Sequence, residues 1–183
     1  ALSPTTFDCS NTGSNLVTLT VTDGLGNTSQ CTANVTVEDN IAPTLICQDV
    51  TVVLPADGST VPSNPFLTGA IVSESDNCGV VGGVGHTGSS QLGCDQVGTF
   101  PRNIFQDDAA GNMTMCTYNL TVVDDTPPVA ICQNLTVELD ASGNGAITGA
   151  DVDNGSTDNC GIASTVATPL TFTCSDIGPN TGM

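Results

Sequence analysis

A stretch of seventeen residues occurs twice in the chain. Cys31 to Cys47 reads CTANVTVEDNIAPTLIC and Cys116 to Cys132 reads CTYNLTVVDDTPPVAIC, with cysteine at both ends, nine identities and an offset of 85 residues. Each copy starts as a strand, because Cys31, Ala33, Val35 and Val37 alternate with Thr32, Asn34, Thr36 and Glu38, apolar on one face and polar on the other. An acidic pair then leads into proline: Glu38 and Asp39 before Pro43, Asp124 and Asp125 before Pro127 and Pro128. Proline donates no ladder hydrogen bond and restricts the residue before it. The segment therefore reads as a stiff acidic joint between the last strand of one β-domain and the first strand of the next.

The repeat sorts the nine cysteines into columns: Cys9, Cys94 and Cys174; Cys31 and Cys116; Cys47 and Cys132; Cys78 and Cys160. On this alignment residues 1–39 supply the back of one domain, 40–124 a whole domain and 125–183 the front of a third. Both ends then fall inside a domain, completed either by a longer array or by head-to-tail neighbours. In the head-to-tail case Cys31 and Cys132 pair across the seam, while Cys9 and Cys174 compete for Cys160.

With one Lys or Arg against nineteen acids the formal charge is -18, which repels nucleic acid and anionic membrane surfaces. No apolar run is long enough to span a bilayer. Aromatic residues make up only 3% of the chain and Trp is absent, so domains of about 85 residues bury modest cores and the cysteines read as disulfide staples of an oxidising, extracellular setting. The expected fold class is all-β.

Val17, Leu19 and Val21 alternate with threonines up to Asp23-Gly-Leu-Gly-Asn27, which predicts a hairpin returning to Val37. In the complete domain, strands are expected over Ile46 to Leu54, Phe66 to Val72, Gly79 to Val84 and Gln91 to Cys94. The positions matching Val17, Leu19 and Val21 are Arg102, Ile104 and Gln106, a poor inward set that predicts a bulge or shifted register before Asp108.

The order of a proline joint then Cys47, Asp76-Asn77-Cys78-Gly79, and Asp108-Ala-Ala-Gly-Asn112 then Cys116 resembles the hyalin repeat (HYR) family, Ig-like modules found in tandem in secreted and cell-surface proteins. Cys132 with Asp158-Asn159-Cys160-Gly161, and Asp23 to Asn27 with Cys31, extend the resemblance over nearly the whole chain. It departs at Val17 to Thr22, where an aromatic is usual, and in a second cysteine pair per repeat. The Asn, Asp and Thr content is similar to that of bacterial adhesins and extracellular filaments built from such repeats. The resemblance implies tandem Ig-like sandwiches, adhesion or scaffolding, and no common catalytic site.

An Ig-like fold implies that the first and last strands start at the same end of a domain, pairing Cys47 with Cys116, and that Cys78 and Cys94 flank a hairpin and pair with each other. Zinc thiolates are disfavoured because no CxxC is present. The same fold implies that Glu38, Asp39 and Asn40, Asp76 and Asn77, and Asp107 and Asp108 meet at one pole, a set of hard oxygen ligands suited to Ca²⁺; the competing reading is solvated turn residues. At the next joint the corresponding residues are Asp124, Asp125, Asp158 and Asn159, with Asp151 and Asp153 nearby. Asp151-Val-Asp153-Asn-Gly155 resembles the start of an EF-hand loop, but its glycine is one place early and no Glu closes it.

Sequons stand at Asn27, Asn34, Asn112, Asn119, Asn134 and Asn154, candidate carriers of N-linked glycans. Outward threonines such as Thr18, Thr20 and Thr36 are equally open to O-linked sugar. His86, the only histidine, lies in a glycine-rich stretch with no second catalytic group, and so acid a chain offers no cation to activate Cys94 or Cys174 as a nucleophile. The expectation is therefore a non-enzymatic stalk, adhesin or filament whose partners are neighbouring copies of the repeat. The alternative is a carbohydrate-binding or spacer module attached to a secreted hydrolase, disfavoured because few aromatics are left over to stack on sugar rings.

Overall fold

The computed structural model describes residues 1–179. The described residues form an all-β chain, mostly of short strands around two long hairpins, whose helical content is confined to single turns. The first strands are β1 (Leu2–Ser3), β2 (Gly13–Thr22) and β3 (Thr28–Val37), which form one sheet in the order β1-β2-β3. The β2–β3 hairpin keeps one register from Gly13 opposite Val37 to Thr22 opposite Thr28, as its alternation predicts. Its turn is built by one side chain. Asp23 Oδ1 accepts the N–H groups of Leu25 and Asn27 at 2.9 and 2.8 Å, Oδ2 accepts Asn27 Nδ2 at 2.8 Å, and Gly26 supplies the positive φ of 90° that an L side chain resists.

The chain continues through β4 (Thr44–Cys47), β5 (Val50–Val53), β6 (Val61–Pro62), the helical turn α1 (Pro65–Thr68), β7 (Ile71–Ser75), β8 (Val80–His86) and β9 (Gln91–Leu92). Two expectations are corrected here. Ile46 to Leu54 is two strands rather than one, since β4 pairs with β7 whereas β5 joins another sheet. The expected strand from Phe66 to Val72 starts as a helical turn and becomes extended only at Ile71; Pro65 fits a first helical position, where its missing N–H costs nothing, and Thr68 N–H reaches Asn64 O at 3.0 Å.

A second hairpin, β10 (Gly98–Asp108) and β11 (Met113–Val123), forms the middle of a four-stranded sheet ordered β5-β11-β10-β8. Asp108 builds its turn just as Asp23 does, with Oδ1 accepting Ala110 and Asn112 N–H at 2.9 and 2.8 Å and Oδ2 accepting Asn112 Nδ2 at 2.7 Å. The expected bulge is present. The β10–β8 register steps between Phe105 and Asp107, and Gln106 is buried with its amide donating to Val81 O and Asp107 O. Ile104, Tyr118, Leu120 and Val122 of this hairpin are all buried.

The last elements are β12 (Asn144–Ala146), the helical turn α2 (Gly149–Val152) and β13 (Thr171–Thr173), with β12 antiparallel to β13. Two compact units result. One comprises Ala1–Val52, Pro62–Ser90 and Thr99–Thr121; the other comprises Val53–Val61, Gln91–Gly98 and the chain from Val122 onward. Among the described residues no helix is long and apolar enough to cross a membrane.

Candidate joint sites

The cysteines are bonded as Cys9–Cys78, Cys47–Cys116 and Cys94–Cys160. The expected Cys47–Cys116 bond is present. Cys78–Cys94 is not, and the reason is local. From Cys78 the chain runs out along β8, seven residues or about 20 Å at strand rise, and Cys94, which opens the turn after the two-residue β9, stands beside Cys160 instead. Cys160 is likewise taken by Cys94, leaving neither Cys9 nor Cys174 to compete for it.

The pairs follow one rule. Cys9 and Cys94 share a column, as do Cys78 and Cys160, and the sequence separations are 69 and 66. Each of these bonds closes around one whole copy of the seventeen-residue segment, Cys31–Cys47 in the first case and Cys116–Cys132 in the second. Cys47–Cys116 then ties the end of one copy to the start of the next. The three exposed free thiols, Cys31, Cys132 and Cys174, sit in columns whose other members are all bonded.

The two bonded regions, around Cys78 and around Cys160, share hydrogen bonds as well as sulfur. Asn77 Nδ2 donates to Asp39 Oδ1 at 3.1 Å, and Asn159 Nδ2 donates to Asp124 Oδ1 at 3.0 Å. Asp39 Oδ1 also accepts Ile41 N–H, as Asp124 Oδ1 accepts Thr126 N–H. Asp76 Oδ2 accepts Cys78 N–H at 2.7 Å, and Asp158 Oδ1 accepts Cys160 N–H at 2.8 Å. The Asp-Asn-Cys motif thus caps its own turn with the aspartate and holds the preceding joint with the asparagine.

Of the acidic groups expected at the first joint, Asp39, Asp76 and Asp108 come together, offering one carboxylate oxygen each within 4.8 Å of the others. Asp108 is 3% exposed. Burial pushes its carboxyl up, but donation from the Asn112 side chain and the N–H groups of Asn112, Gly111 and Ala110 outweighs it and holds the group below the usual carboxylate value. Asn112 links this turn to the joint by also donating to Asp39 O at 2.9 Å. Asp39 Oδ2 and Asp76 Oδ1 are buried and receive no hydrogen bond.

Glu38, Asn40 and Asp107 are exposed, and Asn77 contributes its amide to Asp39 rather than an oxygen to the trio. At the second joint Asp124 and Asp158 are in place and Asp125 is exposed, with no third carboxylate grouped with them among the described residues. Asp151 and Asp153 cap local turns through Thr148 and Ser156. Asp140-Ala-Ser-Gly-Asn144, which the sequence reading passed over, forms a third turn of the Asp23 kind, with Asp140 Oδ1 accepting Ser142 and Asn144 N–H; the shared Asp-x-x-Gly-Asn pattern was the available signal.

The sequons separate by their amides. Asn112 donates twice, to Asp39 O and Asp108 Oδ2, so a sugar on its nitrogen would remove one of these bonds. Asn27 and Asn119 each donate once, to Asp23 and Asp49. Asn34, Asn134 and Asn154 are exposed. His86 lies at the end of β8 opposite Ile104, not in a loop. No protein-family model matches the chain, and no curated protein matches it.

Proposed function

We propose that the chain is a structural extracellular repeat protein, a unit of a stalk, adhesin or filament built from tandem Ig-like domains and joined covalently from domain to domain. The observation that carries this reading is the repeated bond between successive sequence repeats, Cys9–Cys78 and again Cys94–Cys160, each enclosing one copy of the repeated segment and each held within one compact unit. A disulfide internal to a domain stabilises that domain; one that spans a joint also limits bending, which is useful to a load-bearing or spacing element and indifferent to a catalyst. The paired Asn-to-Asp hydrogen bonds at both joints support the same reading.

Calcium completes the proposal at the first joint. Ca²⁺ takes oxygen ligands at about 2.3–2.6 Å, so three oxygens within 4.8 Å of one another fit around one ion. The trio is all carboxylate, and Asp39 Oδ2 and Asp76 Oδ1 have no donor to offset their burial, which a cation would supply. Asp39, Asp76 and Asp108 would hold it, and its charge would offset the repulsion among them. The test is small-angle scattering of the intact, non-reduced chain in calcium and in chelator. An elongated particle that stiffens with calcium, and ceases to respond in Asp76→Asn, is expected. A particle indifferent to both calcium and reductant would overturn the reading.

A further inference from the structure

The two hairpins are copies of one segment, but only the second is covered. Strand β11 is internal to its sheet, with β5 on its outer edge and the Cys47–Cys116 bond beside that pairing. Strand β3, which contains Cys31 where β11 contains Cys116, is the edge of its sheet. Cys31 is exposed and unbonded, and Leu19 and Val21 across from it are 39% and 57% exposed.

A segment at the matching repeat position lies elsewhere in the same chain. Residues Leu135 to Glu138 occupy the repeat position of β5, yet they form no strand, and Leu135 is exposed. Cys132 holds the place of Cys47 and is likewise a free, exposed thiol. Beside it a groove of about 550 Å³ lies open, lined by Ala130, Ile131 and Cys132 on one side and Val152, Ile162 and Val166 on the other. Ile131 is 40% and Val166 78% exposed. In the covered copy the apolar residues of the β10–β11 hairpin, Ile104, Leu120 and Val122, are buried.

We infer that the β2–β3 hairpin of one chain docks into this groove of a second copy of the chain, where Leu135 to Glu138 of that copy adds to the β3 edge and a Cys31–Cys132 disulfide seals the seam. The deduction rests on the tandem-repeat reading and takes the β5–β11 pairing and the Cys47–Cys116 bond as its template. The template also sets the register: Leu54 N–H donates to Val123 O at 2.9 Å, so Leu139 N–H should donate to Glu38 O of the other copy. The donor and acceptor faces differ, so each added chain presents a fresh groove and the contact propagates head to tail.

Bond formation is a thiol–disulfide exchange with a small-molecule disulfide such as oxidised glutathione. The Cys31 thiolate displaces one thiolate from it, the Cys132 thiolate displaces the second, one S–S bond replaces another, and the two thiol protons end on the released thiols.

Light and heavy isotope-labelled chains, reduced, mixed and reoxidised in a glutathione buffer, test this. A Cys31–Cys132 peptide pair in mixed light–heavy form is expected, together with a non-reducing gel ladder in steps of 18.4 kDa. Cys31→Ser should abolish the ladder. Val137→Pro, which removes a donor on the same side of the added strand as Leu139 N–H and leaves both thiols in place, should reduce it several-fold. Free Cys31 and Cys132 thiols, or a pair found only within one isotope, would overturn the inference. Cys9–Cys78 and Cys94–Cys160 peptides in the same digest report separately on the joint reading.

Discussion

The hairpins Gly13–Val37 and Gly98–Val123, with strands of 10 and of 11 residues, share an Asp-x-x-Gly-Asn turn and a cysteine at the same place, yet one is an exposed edge and the other a core. Val35 and Val37 are half-buried where Leu120 and Val122, their counterparts, are buried. Local sequence sets the hairpin; a strand from the start of the repeat, tied to it by a bond of sequence separation 69, sets whether it is covered. The stability of the repeat is therefore not stored in the hairpin but in what is laid against it and bonded to it.

The sharpest way to break this comparison is through sulfur. Cys116→Ser removes a bond with a sequence separation of 69 and should cost the second hairpin about 4 kcal/mol on the chain-entropy estimate. Cys31→Ser in the single, unassembled chain should cost nothing measurable by denaturant titration. Equal losses would mean that the two hairpins are stabilised alike.

Packing gives the next largest difference. Leu120→Ala empties a fully buried site and should destabilise by about 3 kcal/mol, whereas Val35→Ala at the matching, half-exposed position should cost under about 1 kcal/mol. Thermal unfolding of the two variants compares them directly.

Hydrogen exchange should separate the hairpins without any substitution. Strand β11 has β10 on one side and, toward its Val123 end, β5 on the other, so successive amides there should exchange slowly. Strand β3 has a partner only on its β2 side, so alternate amides should exchange fast.

The smallest effect is one that the hairpins share. Hydrogen bonds from Asn27 and Leu25 hold the Asp23 carboxyl below its usual 3.8, and Asp108 is lowered too. A depressed carboxylate stabilises the fold above its unfolded value and loses that contribution as the pH falls through the folded one. Both turns should therefore be insensitive between neutrality and pH 4 and loosen below it, followed by amide chemical shifts of Gly26 and Gly111. Asp23→Asn and Asp108→Asn should each flatten the acid response of their own turn.

Much of the fold was legible because it is local. The alternation from Val17 to Val37, the turn at Asp23 and the misfit of Arg102 and Gln106 each report on neighbours a few residues away, and each led to the observed hairpin or bulge. The helical turn at Pro65 was missed because an apolar run of Phe, Leu, Ile and Val reads as strand unless the proline is taken as a first helical position. The cysteine pairing failed for a different reason. Columns of a repeat give the partner's place in the repeat but not which copy holds it, and Cys78 is bonded to the copy before it, not to Cys94 within its own. For the acids, composition supplies many at one pole, and among the described residues the carboxylates that come within reach of one another there are those of Asp39, Asp76 and Asp108.

Disulfide mapping tests most directly the bonds that link one sequence repeat to the next. Digestion of alkylated, non-reduced protein between its cysteines, with mass analysis of the linked peptides, should recover Cys9 with Cys78 and Cys94 with Cys160, each pair enclosing one copy of the repeated segment. Recovery of Cys78 linked to Cys94 would confine the bond to one repeat and contradict the account.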